Sequence, residues 1–270
     1  MNVVRKVTLV LGAALLAAIC AWAMLRPAVE AEQRWQALRT RGVLRVGIDP
    51  GLRPFSFYGP SGWAGIDADV AREAARRLGL RVEAVPVGYD GFYDALIAGH
   101  ADVAMSALVV DAARTADFRY SRPYFDAGLR AVTRLESMDD LRGRCVVAAL
   151  GSEADRLARW LERRTPRLLR RAVADESAAL AEMRRGACDV AIVSGLTAAR
   201  AGCAPIGGQG DAPIIRCLSL RPSGYVIAVP RADGRLAAEL DRVLTEMAAD
   251  GSLTRIARRW LNAEAAGANN

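Results

Sequence analysis

Lysine and histidine are almost absent from this chain. Lys6 and His100 are the single representatives of each, so arginine carries nearly all of the 37 Lys and Arg residues set against 30 Asp and Glu. One histidine cannot build a histidine-based metal centre. None of the 5 cysteines falls in a Cys-x-x-Cys pair, which argues against a zinc ribbon or a thioredoxin-like centre. No metal and no cofactor is expected. Aromatic residues make up only 6% of the chain, and no basic stripe is interleaved with them, so no nucleic-acid partner is expected either. Arginine without lysine throughout reads as coding composition rather than a recognition surface. The run Arg163-Arg164-Thr165-Pro166-Arg167, with Arg170-Arg171, reads as a solvated helix end.

The N-terminus carries a targeting element. Arg5 and Lys6 precede an apolar stretch from Val7 to Leu25, which Arg26-Pro27 is expected to end. The positive charge leaves the N-terminus in the cytoplasm and the remainder outside. The stretch suits a cleaved signal peptide, with Val29-Glu30-Ala31 before the cut and Glu32 as the first mature residue. It suits a retained membrane anchor equally well, and Ala17-Ala18-Ile19-Cys20 partly resembles a lipobox. Either way the folded part is exported, to the periplasm or the extracellular face of the membrane, secreted or N-terminally anchored. In an oxidising compartment Cys145, Cys188, Cys203 and Cys217 are disulfide candidates, with three possible pairings. Cys203 with Cys217 would close a Gly/Pro-rich loop. Cys145 and Cys188 open two apolar runs and could pair if those runs are parallel neighbours. Four free thiols are the alternative.

From Gly42 onward strands and helices alternate. Val43–Ile48 reads as a strand, Asp67–Leu78 as an amphipathic helix, Arg81–Val87 as a strand, Tyr89–Ala98 as a helix and Ala101–Ser106 as a strand. The unit then repeats: strand Arg144–Leu150, helix Gly151–Leu161, strand Arg170–Ala174, helix Glu176–Arg185, strand Asp189–Val193. Ala187-Cys188-Asp189-Val190-Ala191 echoes His100-Ala101-Asp102-Val103-Ala104. Such alternation predicts parallel α/β sheets, and its repetition predicts two lobes with a cleft between them. A strand over Gly224–Pro230 leads to two closing helices, Gly234–Ala249 and Ser252–Leu261. The expected division is a signal or anchor over 1–31, a first lobe over 40–128, a second over 129–223, a return to the first lobe over 224–262 and a disordered tail over 263–270.

The segment from Gly99 to Phe125, with its Asp102, its hydroxyl at Ser106, its Arg114 and its Ser121-Arg122-Pro123-Tyr124, resembles one half of the ligand cleft of family 3 periplasmic solute-binding proteins. Leu44–Asp49 with Pro54-Phe55, Gly65–Val70, Tyr89-Asp90-Gly91, Leu141–Arg144 with Gly151-Ser152, and Ala248–Leu253 with Arg259-Trp260 resemble further family segments in order. The resemblance implies an α/β two-lobed type II periplasmic-binding-protein fold, with hinge strands near 127–131 and 222–226. It implies that Arg114 clamps a ligand carboxylate, that Ser106 offers hydroxyl and backbone groups, that Tyr89 forms an aromatic wall, and that Ser152 presents a helix N-terminus. Arg114 could also be a surface residue, Tyr89 core packing and Ser152 an ordinary N-cap.

Val109 stands where the family usually has a hydroxyl, Ser194 where it has the acid that pairs with a ligand ammonium, and Leu52 where an aromatic is common. An unpaired ammonium in a closed cleft is costly, so either Glu153 or Asp49 takes over that charge, or the ligand is not an ordinary α-amino acid. The implied function is capture of a small carboxylate-bearing solute, a polar or basic amino acid, by a monomeric non-enzymatic receptor that delivers it to an ABC-type permease. Two other readings stay open. One is a membrane-tethered sensing or accessory protein. The other is a cyclohexadienyl dehydratase-like enzyme, with Glu153 as the acid.

Overall fold

The computed structural model describes residues 2–139, 141–203 and 215–267, without the side chains of 264–267 and of most of residues 2–23. Two five-stranded sheets organise it, and they share one plan. The first has the order Arg81–Pro86, Val43–Ile48, Val103–Ala104, Ala228–Pro230, Phe118–Tyr120. The second has Leu169–Val173, Cys145–Ala149, Val190–Ser194, Leu129–Thr133, Arg216–Arg221. In each, the first three strands are parallel and the fourth runs antiparallel to the third. Parallel strands are covered on both faces. Accordingly, Leu44, Val46 and Ile48 in one sheet and Val146, Val147 and Ala148 in the other are buried.

The echo in the sequence has a structural meaning. Its two copies are the third strands of the two sheets, and the aspartate before each does the same work. Asp102 accepts the backbone N–H of Arg45 at 2.8 Å, and Asp189 accepts that of Cys145 at 2.8 Å. Each carboxylate thus pins the second strand of its sheet, and each meets an arginine there: Asp102 meets Arg45 at 2.8 Å and Asp189 meets Arg144 at 3.2 Å. Burial raises the Asp102 carboxyl, but the Arg45 guanidinium and backbone, with Arg41, outweigh it and hold the group below its usual range.

Both disulfides form, Cys145 with Cys188 and Cys203 with Cys217, at Cα separations of 4.6 and 5.8 Å. The first ties the entry points of two parallel neighbours, Cys145–Ala149 and Val190–Ser194. The loop the second closes includes residues 204–214, which lie outside the described residues.

Several boundaries move. Only Val103–Ala104 pairs as a strand from the expected Ala101–Ser106. Ala107, at φ 47°, turns the chain aside, in a region that non-glycine residues rarely enter. The Tyr89–Ala98 helix is a 3₁₀ turn, Tyr89–Gly91, followed by helix Phe92–Ile97. Residues 263–267, expected as a disordered tail, continue the helix Ser252–Gly267. The first helix does not stop at Arg26-Pro27 but runs from Asn2 to Arg41 with Pro27 inside it. Beyond the proline, Trp35 and Leu38 are three residues apart and bury themselves against the first lobe's core, so the helix has a surface to cover. Among the described residues no helix is long and apolar enough to cross a membrane, and most side chains of the Val7–Leu25 stretch lie outside them.

Two chain crossings join the sheets. Phe125–Asp126 pairs antiparallel with Gly224–Tyr225. Gly128 approaches so closely that a Cβ there would lie 2.0 Å from the Arg221 carbonyl oxygen. Gly195, which opens the six-residue helix Gly195–Arg200, would meet the Asp126 carbonyl oxygen at 1.9 Å. Sequence periodicity gave no sign of this helix. Its Leu196 and Ala199 pack against the first lobe's core.

Candidate functional site

The loops at the C-terminal ends of the parallel strands carry all seven expected contacts. Asp49, Tyr89, Ser106 and Arg114 follow strands of the first sheet, and Ser152, Glu153 and Ser194 follow or end strands of the second. Parallel topology therefore gathers them on the rims of two sheets, the usual location of binding sites in α/β proteins.

Arg114 ends the 3₁₀ turn Ala112–Arg114, capped by the Asp111 side chain accepting from Ala113 N at 3.0 Å. Its guanidinium lies over the Tyr93 ring at 4.3 Å, and among the described residues its ionic partner is Asp111 at 3.5 Å, with 47% of the side chain exposed. The shelf beneath it is fixed: the Tyr93 and Tyr120 hydroxyls are 3.0 Å apart, and Tyr93 packs on Phe118 at 4.8 Å. Burial and the Tyr120 hydroxyl push the Tyr93 phenol well above its ordinary range, so it stays neutral. An aromatic face orients a guanidinium without neutralising it.

The Ser106 hydroxyl makes its hydrogen bonds to the neighbouring rim loop. The residue is fully buried; its hydroxyl donates to the Asp49 carbonyl at 2.8 Å and accepts from Asp49 N at 3.3 Å. The hydroxyl is engaged in joining two rim loops. Asp49 in turn accepts from Gly51 N at 3.1 Å. One residue on, Ala107 N donates to Asp67 at 3.0 Å, and the Tyr124 hydroxyl donates to the same carboxyl at 2.7 Å. Asp67 has no exposed surface, and desolvation raises its pKa to about 7 against the pull of Tyr124 and Ala107. Asp67 stands in the first turn of the helix Ile66–Arg77, yet its carboxyl is the post on which the Ser106–Val109 turn is hung.

Tyr89 is half exposed and meets Phe92 edge-on at 5.5 Å. Nearby, Tyr225 on the crossing strand stacks with Phe125 at 5.9 Å and meets Phe55 at 4.8 Å. Tyr225 was missed because a lone tyrosine beside Gly224 has no periodicity.

On the second rim, Ser152 caps helix Glu153–Glu162: its hydroxyl accepts from Asp155 N at 3.1 Å and donates to the Ala149 carbonyl at 2.6 Å. Glu153 is exposed and paired with Arg221 at 3.1 Å. Ser194 caps Gly195–Arg200, and its N–H and hydroxyl both donate to Glu176, at 2.8 and 2.7 Å. Leu52, Tyr89, Val109 and Leu150 leave apolar surface exposed around these rims. A cavity of about 580 Å³ opens between the Val109-Val110 turn and the crossing strands, walled by Pro123, Pro222 and Gly224, with Arg122, Asp126 and Ser223 as its polar groups. None of the seven expected contacts lines it.

Known proteins resemble this arrangement along almost its whole length. The chain is 25% identical over 236 residues to the L-cystine-binding protein TcyJ of Escherichia coli, covering 84% of this chain and 85% of that one. It is 24% identical over 230 residues to the probable amino-acid-binding protein YxeM of Bacillus subtilis, covering 82% and 84%. These relatives are named as binding proteins, not enzymes. A crystal structure of an ancestral cyclohexadienyl dehydratase superposes with a TM-score of 0.66 at 24% identity, covering 84% of this chain and 95% of that one, and shows the fold alone. Residues 44–263 match the model of one family, and that span takes in both sheets, both crossings and both rims: the chain belongs to the bacterial extracellular solute-binding proteins, family 3.

Proposed function

We propose that this chain is an exported receptor that captures a small carboxylate-bearing solute, a polar or basic amino acid, between its two lobes. It then hands that solute to an ABC-type permease. Arg114 carries the reading. It is a half-exposed rim guanidinium, oriented by an aromatic shelf and, among the described residues, opposed only by a long contact to Asp111. A carboxylate can replace that contact with two short, parallel hydrogen bonds. The names of the relatives, which speak of cystine and amino acids, support the same class of solute.

The reading is tested on the full chain in detergent, by thermal shift and calorimetry against the twenty L-amino acids and L-cystine. At least one should bind. Arg114→Ala should raise its Kd about 100-fold or more, because charge-assisted hydrogen bonds contribute about 1.5–3 kcal/mol each. The unliganded melting temperature should stay put, since the side chain is exposed. Undiminished binding by Arg114→Ala would remove the carboxylate clamp.

A further inference from the structure

The second rim holds one half-buried carboxylate that only neutral donors answer among the described residues, at the start of the helix Gly195–Arg200. Glu176 is the first residue of the helix Glu176–Arg184, which follows the edge strand Leu169–Val173. Its side chain does not turn outward. It reaches past the end of the second strand of the sheet, Cys145–Ala149, to the end of the third, where it accepts from Ser194 N, the Ser194 hydroxyl and the Thr197 hydroxyl.

The neighbouring carboxylates of this rim are either paired with arginine or exposed at a helix cap. Glu153 is paired with Arg221. Asp155 is buried and paired with Arg159 and Arg170. Asp175 is exposed and caps its own helix, accepting from Ala178 N at 2.8 Å. Among the described residues no arginine forms an ion pair with Glu176, in a chain where arginine is the commonest answer to a carboxylate. Three neutral donors fix the orientation of its carboxylate without cancelling its charge, and they leave one oxygen, Oε1, with a free lone pair.

We propose that Glu176 is the cation-binding residue of the cleft, and that it receives the ammonium group of the solute whose carboxylate Arg114 holds. This rests on the reading of the cleft as a carboxylate receptor and adds the second charge. Arginine on one rim and glutamate on the other make each lobe attractive to one end of a zwitterion, so the solute itself joins the lobes. Neither Glu153 nor Asp49 is needed for that role. A solute lacking the amino group would leave the Glu176 charge unanswered, which makes this residue the one that selects amino acids over plain carboxylic acids.

The test uses the full chain in detergent. Its probes are the L-amino acids and L-cystine, each with the carboxylic acid that lacks the α-amino group. The amino acid that binds should do so about 10- to 100-fold tighter than its des-amino counterpart. Glu176→Gln should abolish that preference while leaving the affinity for the des-amino acid within about twofold. Ser194→Asp added to Glu176→Gln should restore the preference, because the Ser194 hydroxyl is 2.7 Å from the Glu176 carboxylate and an acid there reaches the same spot. Glu176→Asp keeps the charge but withdraws it by one methylene. It should weaken amino-acid binding selectively, which gives a readout if the glutamine variant does not fold. Unchanged preference in these variants, with binding still lost in Arg114→Ala, overturns the role of Glu176 and leaves the carboxylate receptor standing. If no probe binds the unmodified chain, both fall together.

Discussion

Replacing Asp67 by Asn should remove a dependence of stability on pH that runs opposite to that set by Asp102 and Asp155. Asp67 has an ordinary value of 3.8 when unfolded and is raised to about 7 by complete burial in the folded state. Below about pH 4 the group is protonated in both states and contributes no pH dependence. Between about 4 and about 7 the folded chain holds a proton that the unfolded chain has released. Folding therefore weakens with each unit, and above about 7 the loss is complete. A difference of about three units at about 1.4 kcal/mol each gives about 4 kcal/mol. Asp102 and Asp155, both held below the ordinary range, slope the other way and stabilise as pH rises from acid. The raw curve of the protein therefore mixes both trends. Urea melts of the unmodified chain and of Asp67→Asn at pH 4, 6 and 8 isolate the group, because the difference between them cancels the rest. The variant should gain about 4 kcal/mol relative to the parent between pH 4 and pH 8. A difference that stays constant across that range would show that Asp67 ionises freely, and that the raised value is not a property of the folded chain.

Other consequences concern the frame rather than the charge. Gly195→Ala should destabilise by about 1–3 kcal/mol, the usual cost of overpacking. The new Cβ would lie 1.9 Å from a backbone oxygen of Asp126, and denaturant unfolding that matched the parent would refute the close approach. Removing the Cys145–Cys188 bridge by paired serine substitutions should cost about 1 kcal/mol more than removing Cys203–Cys217. The chain-entropy effect of a crosslink grows with the loop it closes, and these separations are 43 and 14. Equal losses in chemical melts would count against the entropic account. Tyr93→Leu should remove the aromatic face under Arg114 and lower solute affinity about 3- to 10-fold. Calorimetry showing no loss would mean the shelf does not orient the guanidinium.

How far the sequence reveals this molecule depends on whether a residue's partner is near it in the chain. Val43–Ile48 was legible because its alternation is bounded by Gly42 and Asp49. The paired sheets were legible because Asp102 and Asp189 head two copies of one strand. Cys145 and Cys188 were legible as partners once their strands were read as parallel neighbours. Asp67 and Glu176 were not. Each looks like an acid in the first turn of a helix, a place where acids are common for reasons of the helix dipole. What sets them apart are partners 57 and 18 residues away, Tyr124 and Ser194, brought close only by the sheet crossovers. The continuation of the first helix past Pro27 was hidden for a similar reason: its cause is the hydrophobic surface that Trp35 and Leu38 reach.

The hydroxyls expected to touch a solute turn out to be engaged in holding the rims. Ser106 joins Asp49, Ser152 caps its own helix, and Ser194 carries Glu176. Beneath the first rim, Asp67 holds Ala107 in a left-handed turn that alanine would not choose alone. A polar group that already has its hydrogen-bond partners gains little from a ligand, whereas one with a single weak partner gains much. On the proposed reading recognition falls instead to two charges that no close opposite charge answers, because neutral donors orient a charge without cancelling it. Those are Arg114, whose ionic contact is long, and Glu176, whose donors are neutral. The frame keeps both ends in place before the solute arrives, so that binding need not order them, and preorganisation of this kind converts more of the contact energy into affinity.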